Sequence, residues 1–256
     1  MSKQKKQSDS DRYANFGYQK VEKEEKLGLI RDLFDRVASR YDVMNDVMSA
    51  GTHRLWKNQM VQWLTPSIGS CHLDVAGGTG DIALRIQNQE SINTHVIVCD
   101  LSENMLEEGR RRSWDKGVTS GISWVAGDAE SLPLNASSVD SYTISFGIRN
   151  VTNIEKVLSD AARVLKPGGR FLCLEFCPEQ NEAIRNLYDF YSFTIIPIIG
   201  QIIAQDSDSY RYLVESIRKF PPPDAFASMI QDAGFGGVSW RQLNCGIAAL
   251  HSGWRV

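Results

Sequence analysis

Residues 73–86 read LDVAGGTGDIALRI. A strand-like run, CHLDVA from Cys71 to Ala76, enters three glycines in four positions, and a helix-like pattern leaves from Asp81. Glycines at such a turn allow positive φ and let the backbone come close to a ligand. Gly78, Gly80 and Ala83 satisfy G-x-G-x-x-G/A, and Asp100 follows Gly80 by 20 residues at the end of the next strand pattern, HVIVCD. A carboxylate in that place can accept from two ribose hydroxyls. The stretch therefore reads as the first strand–turn–helix of a nucleotide-binding α/β sheet.

The pattern continues outward in both directions. Downstream come SENMLEEGRRR, a helix capped by Ser102; ISWVAGDA, a third strand; SVDSYTISFG, a fourth; IEKVLSDAARVL, a helix stopped by KPGG; and RFLCLEF, a fifth strand. Strands alternating with helices of this length predict a parallel sheet with right-handed crossovers. The rhythm then breaks. Ala183 to Leu213 reads as long, aromatic and helical, and Asp224 to Phe235 as a further helix. GVSWRQLN and GIAALHSGW are strands joined at Asn244 to Gly246, a link so short that they must run antiparallel. Upstream, helical spacing covers Leu27 to Arg40, Val43 to Met48 and His53 to Leu64, so that only helix is expected before the first strand.

The composition, 42% hydrophobic and 23% charged, suits a globular domain, and a net charge of -3 argues against general nucleic-acid binding. Five cysteines without framework spacing read as reduced thiols of a reducing compartment. The polar N-terminus lacks the apolar stretch of a secretory signal and holds too many acids for a transit peptide. FTIIPIIGQIIA, Phe193 to Ala204, is too short to span a bilayer and is interrupted by Pro197 and Gly200. The four histidines are scattered, without metal-ligand spacing.

A glycine fingerprint alone serves NAD and S-adenosylmethionine (SAM) alike. Three features favour SAM. The GDA at Gly127 to Ala129 places the Asp128 carboxylate and the Ala129 amide where an adenine would lie; KPGG makes a tight turn before the fifth strand; and a terminal hairpin stands where an NAD enzyme would carry a substrate domain. The chain here resembles the class I SAM-dependent methyltransferases, with Ala76 where that family usually has its first glycine. YDVMNDVMSAGTHRLWK, DVAGGTGD, SFGIRNV, ARVLKPGG, DSYRYLVESI and ALHSG further resemble the UbiE family, the C-methyltransferases of ubiquinone and menaquinone biosynthesis.

The resemblance implies a Rossmann-like sheet of seven strands, mostly parallel, with an antiparallel C-terminal hairpin and a helical N-terminal extension. The expected organisation is a disordered tail over 1–15 and a single domain over 16–256. Within the domain come a helical lid at 16–66, a SAM-binding core at 71–176, a substrate-side helical insertion at 183–222 and a C-terminal helix and hairpin at 224–256. The expected SAM set is Asp74, Gly78, Thr79, Gly80, Asp100, Asp128, Ala129 and Ser145. Asp74 could equally brace the glycine turn, and Asp81 could equally be a carboxylate favoured at a helix start.

The implied reaction is methylation of a ring carbon in a polyprenylated benzoquinol, in demethylmenaquinol, or in both. Ligands bind outside the carboxyl ends of such strands, so the loop after the fourth strand faces the methyl group. Arg149 and Asn150 in that loop are the expected catalytic pair, with Tyr41 adding a hydrogen bond. Arginine stays protonated, so Arg149 is expected to stabilise a developing phenolate or orient water rather than act as a base; the other reading of the pair is a salt bridge and a cap. The apolar segment LYDFYSFTIIPIIGQIIA is either a wall for a polyprenyl tail and a contact with the membrane surface, or helix packing on the sheet. A peripheral place at a bacterial inner membrane, or at the matrix face of the mitochondrial one, follows from the resemblance, and the chain could act as a homodimer or within a quinone-synthesis complex. An NAD-linked oxidoreductase, a SAM-fold scaffold without activity, and a methyltransferase for another small molecule are the competing readings.

Overall fold

The computed structural model describes residues 12–38, 45–46, 49, 51–88, 94–178 and 207–256. Seven strands form the central sheet: β3 (Cys71–Val75), β4 (His95–Asp100), β5 (Ile122–Ala126), β6 (Val139–Ser145), β7 (Leu165–Phe176), β8 (Phe235–Leu243) and β9 (Ala248–Arg255). Their order is β5-β4-β3-β6-β7-β9-β8. Strands β3 to β7 pair in parallel, and β9 runs antiparallel to both β7 and β8. The chain reverses its direction of travel across the sheet between β5 and β6, and ligands of open α/β sheets bind at such a switch point.

Period-2 alternation within β7 shows why the sheet needs cover on both faces. Leu172, Leu174 and Phe176 enter one apolar cluster, while Phe171 and Cys173 enter the other. The first cluster is completed by α1 (Lys23–Val37), α2 (His53–Leu64), α3 (Asp81–Gln87) and α6 (Ser207–Lys219). The second is completed by α5 (Ile154–Val164) and α7 (Pro223–Asp232). Helix α4 (Glu103–Asp115) starts at the expected cap, the Ser102 Oγ accepting from the Met105 amide at 3.1 Å.

The N-terminal region departs from expectation. Tyr13–Phe16 (β1) and Gln19–Glu22 (β2) form an antiparallel hairpin, so residues 13–15 are strand and not disordered tail, and helix does not make up the whole lead-in. Strands of four residues are too short to show a period, and what fixes them is tertiary. The turn needs Gly17 at φ +58°; Phe16 stacks on Tyr212 of α6 at 4.3 Å between ring centroids; and the Tyr18 amide donates to Glu215 Oε2 at 2.9 Å. Tyr41, most of the expected helix at Val43 to Met48, and residues 183–206 of the substrate-side segment lie outside the described residues.

Candidate active site

The glycine turn and the end of β4 are held together by one carboxylate. Asp100 Oδ2 accepts from the Gly78 amide at 2.8 Å and Oδ1 from the Ser102 amide at 2.9 Å. Burial pushes the Asp100 carboxyl up to about 6, against the pull of those amides. Gly78 has φ +54°, and a Cβ there would lie 2.8 Å from the Met105 methyl. Gly78, Asp100, Asp128 and Ala129 form the polar wall of a cleft of about 690 Å³, part of it open to solvent, at the carboxyl ends of β3 to β6. Ile30 and Phe34 of α1, with Phe146, form its apolar wall. Asp128 Oδ1 is already turned to the Glu130 amide at 2.9 Å, which fixes the carboxylate at the rim. A backbone cradle that no side chain can enter, a half-buried acid for vicinal hydroxyls and a second acid beside a loop amide fit the ribose and adenine of SAM.

Other expected residues stand outside the cleft lining. Asp74 is buried beneath the turn, where Thr143 Oγ1 donates to its Oδ1 at 2.7 Å. Thr143 Oγ1 also lies 2.9 Å from His72 Nε2, and Ser141 Oγ lies 2.7 Å from His72 Nδ1. Asp74 Oδ2 has no hydrogen-bond partner among the described residues, and burial pushes the carboxyl up to about 7. This placement is that of a brace. Thr79 is buried in the turn, Gly80 (φ +72°) packs on Trp124, and Ser145 ends β6 with its Oγ unpartnered among the described residues. Asp81 pairs with Lys57 Nζ at 2.9 Å and Arg85 Nε at 3.1 Å. Burial alone would raise its carboxyl; the two cations outweigh that and hold it well below the usual range.

Ala76, at the place of the missing glycine, has φ +49°. The loop after β6 makes the space for it: a Cβ on Gly147 would fall 2.4 Å from the Ala76 Cβ. Phe146 is also left-handed, at φ +59°, and a single 3₁₀ turn, Ile148–Asn150, follows. Arg149 Nη1 donates to the Phe146 carbonyl at 2.8 Å and to Glu175 Oε1 at 2.5 Å, and its guanidinium lies 5.4 Å from the centre of the Phe176 ring. The two side chains are 3% and 1% exposed, so this is a buried ion pair. Burial raises the Glu175 carboxyl and Arg149 draws it back. Asn150 faces the cleft; its Nδ2 donates to the Phe146 carbonyl at 3.4 Å and its Oδ1 accepts from the Tyr212 hydroxyl at 3.2 Å. Arg149 borders a neighbouring hollow across the loop, with Asn15, Lys26 and Lys219.

Four residues of this region were not singled out from sequence. Glu175 had a signal, a lone acid inside the buried run RFLCLEF, which demands a cationic partner. Lys57, Glu130 and Lys26 had none. Glu130 Oε1 takes the Thr152 and Asn153 amides at 2.6 and 2.8 Å, and Lys26 Nζ ties α1 to the Val151 carbonyl at 2.7 Å. Burial lowers Lys26 to about 8.

A sheet of this order, closed by an antiparallel β9 and carrying this cleft at its switch point, defines the class I SAM-dependent methyltransferases. The fold is shared with a SAM-dependent methyltransferase from Thermotoga maritima (TM-score 0.63, 20% identity, 89% of this chain and all of that one). It is shared too with Haemonchus contortus phosphoethanolamine N-methyltransferase 2 bound to SAM (TM-score 0.62, 13% identity, 88% of this chain and 59% of that one). The chain belongs to the ubiE/COQ5 methyltransferase family, whose sequence profile matches residues 19–255, and SAM is its methyl donor. It is 54% identical over 248 residues to the ubiquinone/menaquinone biosynthesis C-methyltransferase UbiE of Paracoccus denitrificans, covering 97% of this chain and 99% of that protein. It is 54% identical over 244 residues to the protein of the same name from Brucella suis, covering 94% and 91%.

Proposed function

We propose that this chain methylates a ring carbon of a polyprenylated quinol: 2-methoxy-6-polyprenyl-1,4-benzoquinol, demethylmenaquinol, or both. The observation that carries this reading is the reach of the similarity, 97% of this chain against 99% of the Paracoccus protein. The SAM half of the cleft is common to many methyltransferases. The acceptor is chosen by the segments around it, and the similarity covers those as well.

SAM supplies an electrophilic methyl on a sulfonium whose sulfur keeps the bonding pair on departure. The protein's part is to hold the acceptor carbon about 3–3.5 Å from that methyl, in line, and to favour the phenolate form of the neighbouring oxygen. The ring then sheds its own proton and regains aromaticity. Ile30, Phe34 and Phe146 exclude water from the cleft. Asn150 offers an amide hydrogen to the acceptor oxygen. Arg149, charge-balanced by Glu175, acts through the loop by fixing the Phe146 carbonyl, and Tyr41 adds a hydrogen bond from the lid. A polyprenyl tail does not leave a bilayer unaided, so the reading puts the protein in peripheral contact with the inner-membrane surface.

The test is direct. Purified protein with methyl-labelled SAM is given each of the two quinols in detergent, and the lipid extract is analysed by mass. The expected result is a label-bearing product one methylene heavier from at least one acceptor. SAM binding without methylation of either would overturn the reading. Quinone profiles of cells lacking and then regaining the protein separate the two acceptors in vivo.

A further inference from the structure

Asn150 sits between two groups that together decide which way its amide points. The Phe146 carbonyl is only an acceptor, so the amide nitrogen must face it, at 3.4 Å. That turns Oδ1 toward the Tyr212 hydroxyl, which donates to it at 3.2 Å. Tyr212 is 4% exposed, and burial raises its phenol above the ordinary range, so the hydroxyl keeps its hydrogen. A flipped amide would set two carbonyl oxygens against each other and leave the hydroxyl with only an N–H to accept from. The carbonyl of Asn150 is thus spent inside the protein. One of its two amide hydrogens has no acceptor among the described residues, and Asn150 lines the cleft.

Tyr212 is itself held from a distant part of the chain. Its ring stacks on Phe16 of β1, the planes inclined by 23°. The hairpin that carries Phe16 is fastened to the same helix, the Tyr18 amide on Glu215 one turn beyond Tyr212. The hairpin turn is pressed so close that a Cβ on Gly17 would overlap Glu215.

We propose that Tyr212 is a positioning residue for methyl transfer: it orients Asn150 so that an amide hydrogen is presented to the acceptor oxygen, and the N-terminal hairpin is the far end of that clamp. The inference rests on the reading that the acceptor is a quinol with a ring oxygen beside the reacting carbon. A donor aimed at that oxygen favours phenolate over phenol, and so raises the electron density of the carbon.

The test combines Tyr212→Phe, Asn150→Ala, Asn150→Asp and the double variant Tyr212→Phe/Asn150→Ala. The readouts are calorimetric SAM affinity, affinity for a short-tailed quinol analogue, and kcat and KM on the quinol. Losing one buried hydrogen bond should lower kcat about tenfold in Tyr212→Phe with SAM affinity unchanged. Asn150→Ala should cost more, and the double variant no more than Asn150→Ala alone, because Tyr212 acts through Asn150. Asn150→Asp keeps the shape but presents an acceptor to the ring oxygen; it should weaken analogue binding as well as kcat, and it decides the matter if Tyr212→Phe fails to fold. Wild-type turnover by Tyr212→Phe, fully additive losses in the double variant, or an unimpaired Asn150→Asp would each overturn the proposal. A wild-type protein that binds SAM yet methylates no quinol would instead sink the function itself.

Discussion

Asp100 lies where one side chain can serve both the fold and the ligand. It accepts from two backbone amides of its own site, so its removal loosens the glycine turn, and on the proposed assignment it also takes away the acceptor for the ribose. Asp100→Ala should therefore weaken SAM binding by about 2 kcal/mol or more, read by calorimetry on the folded variant; wild-type affinity would refute the assignment. Asp74 carries a different expectation. Its carboxyl stands at 3.8 when solvated and about 7 in the fold, chiefly through burial. The folded state thus prefers the neutral acid. The stability it contributes is fully present below about pH 4 and is lost as pH rises through 7, a swing of about 4 kcal/mol. Asparagine imitates the neutral acid. Asp74→Asn should be much more stable than the wild type at pH 8 and close to it at pH 4, as measured by denaturant unfolding; a difference that ignores pH would show that the carboxyl titrates in the fold as it does in solvent. Gly78, Asp100, Asp128, Ala129 and Asn150 could be placed at the cleft from sequence because each follows a strand whose end is easily read. Glu175, Tyr212 and Lys57 could not be placed, since their partners lie 26, 62 and 24 residues away and pairing leaves no local pattern.

The elements meet most tightly where the turn after β3 touches the loop after β6. Ala76 bears a left-handed φ that costs an L-residue about 1–2 kcal/mol, and Gly147 lacks the Cβ that would collide with it. Gly147→Ala alone should destabilise by about 2 kcal/mol or more. Ala76→Gly should be neutral or slightly stabilising, and the double variant should recover most of the loss, because the backbone at Gly147 (φ -108°) suits alanine. Thermal melts of the four proteins check this, and a double variant as unstable as Gly147→Ala would refute it. The strands and their parallel direction were legible because buried runs such as HVIVCD and RFLCLEF alternate with amphipathic helices. The β1–β2 hairpin was not legible, since strands of only four residues show no period and these are held by α6. Nor was the seat of β9 between β7 and β8: a short link requires an antiparallel pair but does not say which of its strands joins the sheet.

Across the whole molecule, the first strands and the substrate side are one mechanical unit: hairpin to α6, α6 to Asn150, Asn150 to the cleft. Deleting residues 1–22 removes the hairpin and keeps the whole of α1, which begins at Lys23. It should lower kcat about tenfold while SAM affinity stays near the wild-type value, a split that steady-state kinetics and calorimetry together would detect; loss of SAM affinity alone would place the hairpin in cofactor binding instead. The sheet order has another consequence, one of timing. Translation delivers β8 before β9, yet among the described residues β8 has no neighbour in the sheet except β9. Until β9 has been made and has left the ribosome, the nascent chain carries an open edge along β7. A ribosome that slows between β7 and β9 prolongs that interval, so the tempo of synthesis bears on how much of this protein escapes aggregation at birth.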